Sequence, residues 1–97
     1  MLNERIKKLR QERNMSQVDL AKRLNVTKQS ISNWENDNIQ PSIEMLLKLA
    51  AVFSVSTDYL LGLEEHRYLE ITGLSDEEIC HIQQVIQDLT NRNHPSK

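Results

Sequence analysis

A chain of 97 residues that is 38% hydrophobic, 4% aromatic and poor in Gly and Pro allows one domain with a modest core of Leu, Ile and Val. A net charge of −2 provides no overall field that would draw the chain to nucleic acid. The single cysteine, Cys80, cannot form an internal disulfide and fits a reducing compartment, and no apolar run approaches the roughly 20 residues a membrane span needs.

The distribution of charge says more than its sum. Residues 1–61 carry nine Lys/Arg against seven Asp/Glu, and residues 62–97 carry three against seven. A mildly basic first part is followed by an acidic tail, which leaves room for a local basic face. The opening stretch MLNERIKKLRQERN is charged throughout and lacks the apolar core of a signal peptide. Glu4 and Glu12 argue against a targeting peptide as well, so the stretch reads as a structural helix.

That first helix is predicted over about Asn3 to Arg13, with Leu2, Ile6 and Leu9 in one stripe and Arg10 at its edge. Asn14 ends it. Ser16 caps a second helix over about Gln17 to Leu24. Asn25 supplies the left-handed turn, and Thr27 caps a third helix over about Lys28 to Asn36. Apolar residues at Leu20, Ala21, Leu24, Val26, Ile31 and Trp34 around a single break give the layout of a helix-turn-helix. A loop with Pro41 follows. Ser42 then caps a fourth helix, about Ile43 to Phe53, whose inward face is predicted as Ile43, Leu46, Leu47, Ala50 and Phe53. A short fifth helix over about Thr57 to Leu61 closes at Gly62, the expected domain boundary.

Beyond Gly62 the chain turns polar and acidic. Ser75-Asp76-Glu77-Glu78 is a capping box, and a sixth, amphipathic helix is expected over about 75–91. Ile79, Ile82, Ile86 and Leu89 are spaced 3, 4 and 3 residues apart with Val85 beside them, a seam that must bury itself on something. Asn93 to Lys97 is expected to fray. The expected fold class is therefore all-α: a five-helix unit over 1–62 and an acidic extension over 63–97.

Residues about 3–62 resemble the Cro and phage-repressor, or XRE, family of helix-turn-helix regulators. The strings IKKLRQERNMSQVDLAKRLNVTKQSISNWEN and PSIEMLLKLAAVFSVSTDYLLG carry the likeness. Ala21 falls where the two motif helices cross, Asn25 replaces a frequent turn glycine, and Trp34-Glu35-Asn36 matches a frequent ending. The tail is only weakly similar to the extra helices of some bacterial members. The resemblance implies a phage-repressor-like DNA-binding domain. It also implies that Gln17 clamps a backbone phosphate, that Lys28 and Gln29 occupy the first reading positions, and that Arg10 pairs with Glu35.

The chemistry of those side chains agrees with such a role. Lys28 can donate to guanine, while Gln29 and Asn33 can pair two atoms with adenine. Thr27 offers a methyl to thymine or a hydroxyl to phosphate, and Ser32 lies on the same face. Gln17 opens a helix, where free N–H groups attract anions. Asn36, Asn38 and Gln40 are placed to contact phosphates of the other strand. Lys7, Lys8, Arg13, Lys22 and Arg23 read mostly as solvated charges.

Other chemistry finds little support. His66, Cys80, His81 and His94 match no common zinc spacing, and no phosphate loop or nucleophile motif occurs. Neither an enzyme nor a cofactor is expected. The expected partner is double-stranded DNA, bound by a cytoplasmic, nucleoid-associated homodimer. The dimer would be held through Ile79, Ile82, Val85, Ile86 and Leu89 if that seam does not fold back on its own domain. The competing reading is an interaction protein, such as an antitoxin, whose tail binds another protein.

Overall fold

The computed structural model describes residues 1–93. It is all-helical, with no strand among the described residues: α1 Leu2–Glu12, α2 Gln17–Leu24, α3 Lys28–Glu35, α4 Ile43–Phe53, α5 Thr57–Leu60 and α6 Asp76–Asn93. The six helices appear in the expected order, with ends within two residues of those read from the sequence. Asn93, expected in a frayed end, is the last residue of α6. The rest of that expected frayed end, 94–97 with His94, lies outside the described residues.

Local chemistry accounts for the helix starts. Ser16, Thr27, Ser42, Ser56 and Ser75 each accept a hydrogen bond from the backbone N–H three residues on, at 3.0 to 3.1 Å. Each bond satisfies one donor that a helix start would otherwise leave unmade. Asp19 completes a capping box by accepting from Ser16 N at 2.9 Å, as Glu78 does from Ser75 N. Those bonds from Ser16 hold the Asp19 carboxylate below its ordinary pKa.

Several of the chain's turns rest on left-handed residues. Asn14, Asn25, Asp37 and Ser54 all have φ between 54° and 59°, and Gly62 has φ 80°. Asn and Asp tolerate this region and Gly favours it, whereas Ser54 gains nothing comparable. Ser54→Gly is expected to raise stability by about 0.5–1 kcal/mol, the relief of side-chain strain exceeding the added freedom of the unfolded chain. Thermal unfolding should then shift upward by roughly 2–8 °C. An unchanged or lower midpoint would contradict it.

The core gathers Ile6 and Leu9 from α1, Leu20, Ala21 and Leu24 from α2, Ile31 and Trp34 from α3, Leu49, Ala50 and Phe53 from α4, and Tyr59 and Leu60 from α5. α2 packs closely on α3, and α1 touches α3, α4 and α5. One expectation fails in α4. Ile43 and Leu47 are not inward: they are 78% and 58% exposed, while Leu49 is fully buried. The inward stripe is Leu46, Leu49, Ala50 and Phe53, with Met45 and Val52 at its edges. The helix is apolar around most of its circumference, so periodicity alone leaves its facing open. Arg13 is exposed, as the solvated reading has it, but it is also engaged. Its guanidinium donates to the Phe53 carbonyl and lies over the Phe53 ring.

The tail is attached differently. No residue of α6 is fully buried, and Ile79 and Ile82 are half-covered, sharing a groove with Leu69 and Ile71. Val85, Ile86 and Leu89 remain 44–49% exposed. The radius of gyration is 16.2 Å, against about 12.5 Å for a compact domain of this length, because the tail stands away from the body. Residues 63–71 are fastened to α1 and α5 by polar contacts. The Arg5 guanidinium lies 3.9 Å from the centre of the Tyr59 ring, and that of Arg67 lies 5.3 Å from it. Arg5 also donates to the Tyr59 carbonyl at 2.8 Å and pairs with Glu65 at 3.2 Å, while Arg67 pairs with Glu12 at 3.4 Å. An open groove of about 720 Å³ lies between the end of α4, α5 and this strap.

Candidate nucleic-acid interface

The site is assembled from the starts of α2 and α3 and the loop after α3. Ile31 and Trp34 are buried, which turns the other side of α3 outward. Thr27, Lys28 and Gln29 are exposed, and Ser32 and Asn33 are half-exposed beside them. These side chains are short and polar, and a helix presenting them can enter the major groove.

They are also ordered among themselves. Gln29 Nε2 donates to Asn33 Oδ1 at 3.1 Å, and Asn36 Nδ2 donates to Ser32 Oγ at 3.2 Å. The Thr27 and Ser30 hydroxyls lie 3.0 Å apart. The loop that carries Asn38 and Gln40 is held to the end of α3. Asn38 N and Ile39 N donate to the Asn33 carbonyl at 2.9 and 3.4 Å, and Gln40 Nε2 donates to Asp37 Oδ1 at 3.4 Å. Asn36, Asn38 and Gln40 are all exposed.

Beneath this surface lies a buried polar junction. Arg10 and Glu35 are 8% and 7% exposed. Arg10 Nε donates to Glu35 Oε2 at 2.7 Å and Nη2 to Oε1 at 3.0 Å, a two-pronged charge-assisted contact. Its third nitrogen, Nη1, donates to the Met15 carbonyl at 2.8 Å. The hydrogen bond to Glu35 raises the Arg10 pKa above its ordinary value, against the opposing effect of burial. Glu35 Oε1 accepts a further bond from Gln17 Nε2 at 3.1 Å, and among the described residues no buried side-chain polar atom is left without a partner.

The expected site residues thus fall into two connected groups. Gln17 lies between them: it is half-exposed at the start of α2, and one of its amide hydrogens is committed to Glu35. The Arg10–Glu35 pair is the one the resemblance implies, whereas the bond from Gln17 to Glu35 was missed by sequence reasoning. That reasoning also missed the Met15 carbonyl and the Arg5–Tyr59 contact, for which only the charge pattern of α1 offered a hint. Ile79, Ile82, Val85, Ile86 and Leu89 are not brought into this site. No group of His, Cys, Asp and Glu among the described residues could hold a metal, and no helix among them is long and apolar enough to cross a membrane.

The chain is similar in sequence and in fold to known proteins. ImmR, an HTH-type transcriptional regulator of Bacillus subtilis, is 37% identical over 87 residues, covering 90% of this chain and 68% of its own length. Further curated relatives are matched over 31% to 58% of their length. The c2 repressor of Salmonella phage P22, solved with a synthetic operator, superposes with a TM-score of 0.62 at 34% identity, over 66% of this chain and 97% of its own. A structure of the SinR–SinI complex matches with a TM-score of 0.61 at 29% identity, over 94% and 99% respectively, SinR being a regulator of Bacillus subtilis. The helix-turn-helix family model matches residues 6–60, more than half the chain and the segment that holds every core residue named above, and the chain belongs to that family, as a regulator of the Cro and phage-repressor (XRE) type.

Proposed function

We propose that this chain is a sequence-specific DNA-binding transcriptional regulator, acting as a repressor on a palindromic operator. α3 lies in the major groove, where Lys28, Gln29, Ser32 and Asn33 face base edges and Thr27 reaches a thymine methyl or a phosphate. Gln17, Asn36, Asn38 and Gln40 bind phosphates and fix the register. The observation that carries this reading is the polar outward face of α3, set on a helix whose other side is locked by Ile31, Trp34 and Glu35. Such a regulator works in the cytoplasm, against the nucleoid.

One helix-turn-helix makes too few base contacts for tight specific binding. Residues 1–62 therefore act as the reading unit, and residues 63–97 as an extension that joins two copies through α6. The two reading helices would then enter successive major grooves about 34 Å apart. A second reading draws on the same exposed seam of α6: the tail binds a different protein, and the solved complex of SinR with SinI makes that worth testing.

Selection from randomised DNA, followed by titration at fixed salt, tests the assignment. Gln29→Ala is expected to relax preference at one base pair, with a loss of roughly 1–3 kcal/mol on the preferred site only. Gln17→Ala is expected to weaken all sequences alike while leaving the salt dependence nearly unchanged, because an amide contact neutralises no phosphate charge. Equal losses of preference from both variants would refute the division between reading and anchoring.

A further inference from the structure

The outward side chains of α3 do not stand independently. Gln29 and Asn33 lie four residues apart on one face of the helix, and Gln29 Nε2 donates to Asn33 Oδ1 at 3.1 Å. A carboxamide carries two N–H donors and one carbonyl oxygen. The bond uses one N–H of Gln29 and leaves a second N–H and the Oε1 acceptor unengaged by it. That remaining donor and acceptor are the pair a glutamine needs for the N7 and N6 positions of adenine. Asn33 has the opposite balance, because its side-chain oxygen is engaged by Gln29.

Asn33 is also the better-anchored of the two. It is half-buried where Gln29 is exposed, and its backbone carbonyl accepts from both Asn38 N and Ile39 N. A free glutamine at the surface samples three side-chain torsions and must give them up on binding. One held by a fixed neighbour has already done so, which favours the bound geometry.

We propose that Asn33 is a positioning residue for Gln29, and that the two side chains read one adenine·thymine pair as a unit rather than two pairs separately. The proposal rests on the reading of α3 as the groove-entering helix. It revises the sequence expectation that Asn33 reads a base of its own.

The test uses the full chain and selection from randomised DNA, followed by titration of single-base variants of the selected site. Wild type is compared with Gln29→Ala, Asn33→Ala, Asn33→Asp and the double alanine variant. Asn33→Ala should relax preference at the same base pair as Gln29→Ala, by roughly threefold to tenfold, and the double variant should be no less selective there than Gln29→Ala alone. Asn33→Asp keeps the acceptor that holds Gln29. It should retain the wild-type preference at that pair while binding every sequence more weakly, because its carboxylate repels phosphate. Loss of preference at a different pair in Asn33→Ala overturns the proposal alone, as does an Asn33→Asp variant as unselective as Asn33→Ala. A wild-type chain that selects no sequence overturns the groove reading and the proposal together.

Discussion

Replacing Glu35 with leucine is expected to lower the folding free energy by about 3–5 kcal/mol, because it strands the Arg10 guanidinium in a site from which water is excluded. The pair is 2.7 Å long at its shorter prong and nearly buried on both sides. A domain of this size holds roughly 5–15 kcal/mol in total, so the variant should unfold at a temperature lower by well over about 10 °C. Chemical denaturation followed by circular dichroism measures the loss. Exchanging both partners for apolar residues, Arg10→Met with Glu35→Leu, should recover much of it, since no charge is then left unpaired. A single Glu35→Leu variant that loses less than about 1 kcal/mol would mean that water reaches the junction and screens it.

The second large effect is expected at the other end of the chain. Ile86→Glu puts a charge in the middle of the exposed seam of α6. In a single chain this residue is half-exposed, so stability should move by no more than about 0.5 kcal/mol. In a dimer joined through α6 the new carboxylate would be buried without a partner. The expected result is a monomer in sedimentation. Losing one half-site should also reduce operator affinity by roughly a hundredfold to a thousandfold at fixed salt. If the variant remains dimeric and binds DNA as before, α6 is not the joint, and the tail is better explained as a surface for another protein.

Much of this molecule can be read from its residues because its signals are local. Ser16, Thr27, Ser42 and Ser75 each mark a helix start three residues before the N–H they satisfy, and Asn25 marks the left-handed turn between α2 and α3. What could not be read is set by distant neighbours. Ile43 and Leu47 look as inward as Leu49 by spacing, and only the placement of α1 and α2 against α4 decides which stripe is covered. Arg13 looks like any surface arginine until the end of α4, forty residues on, brings it a carbonyl and a ring. The Gln17–Glu35 bond depends on the angle between two helices, which no spacing within either helix encodes.

The attachment of the strap bears on how salt titrations of this protein should be read. Glu65 and Glu12 are wet partners for Arg5 and Arg67 at 3.2 and 3.4 Å, and the reach of a charge falls from about 10 Å in 0.1 M salt to about 3 Å in 1 M, where it becomes comparable with these pairs. The packing of those arginines on Tyr59 is less sensitive. Raising the ionic strength therefore loosens the strap by degrees while the body stays folded. If α6 joins two copies, added salt both displaces phosphate contacts and slackens the tether that holds the reading heads in register. Both losses steepen the same plot, so a count of contacted phosphates taken from its slope alone will come out too high.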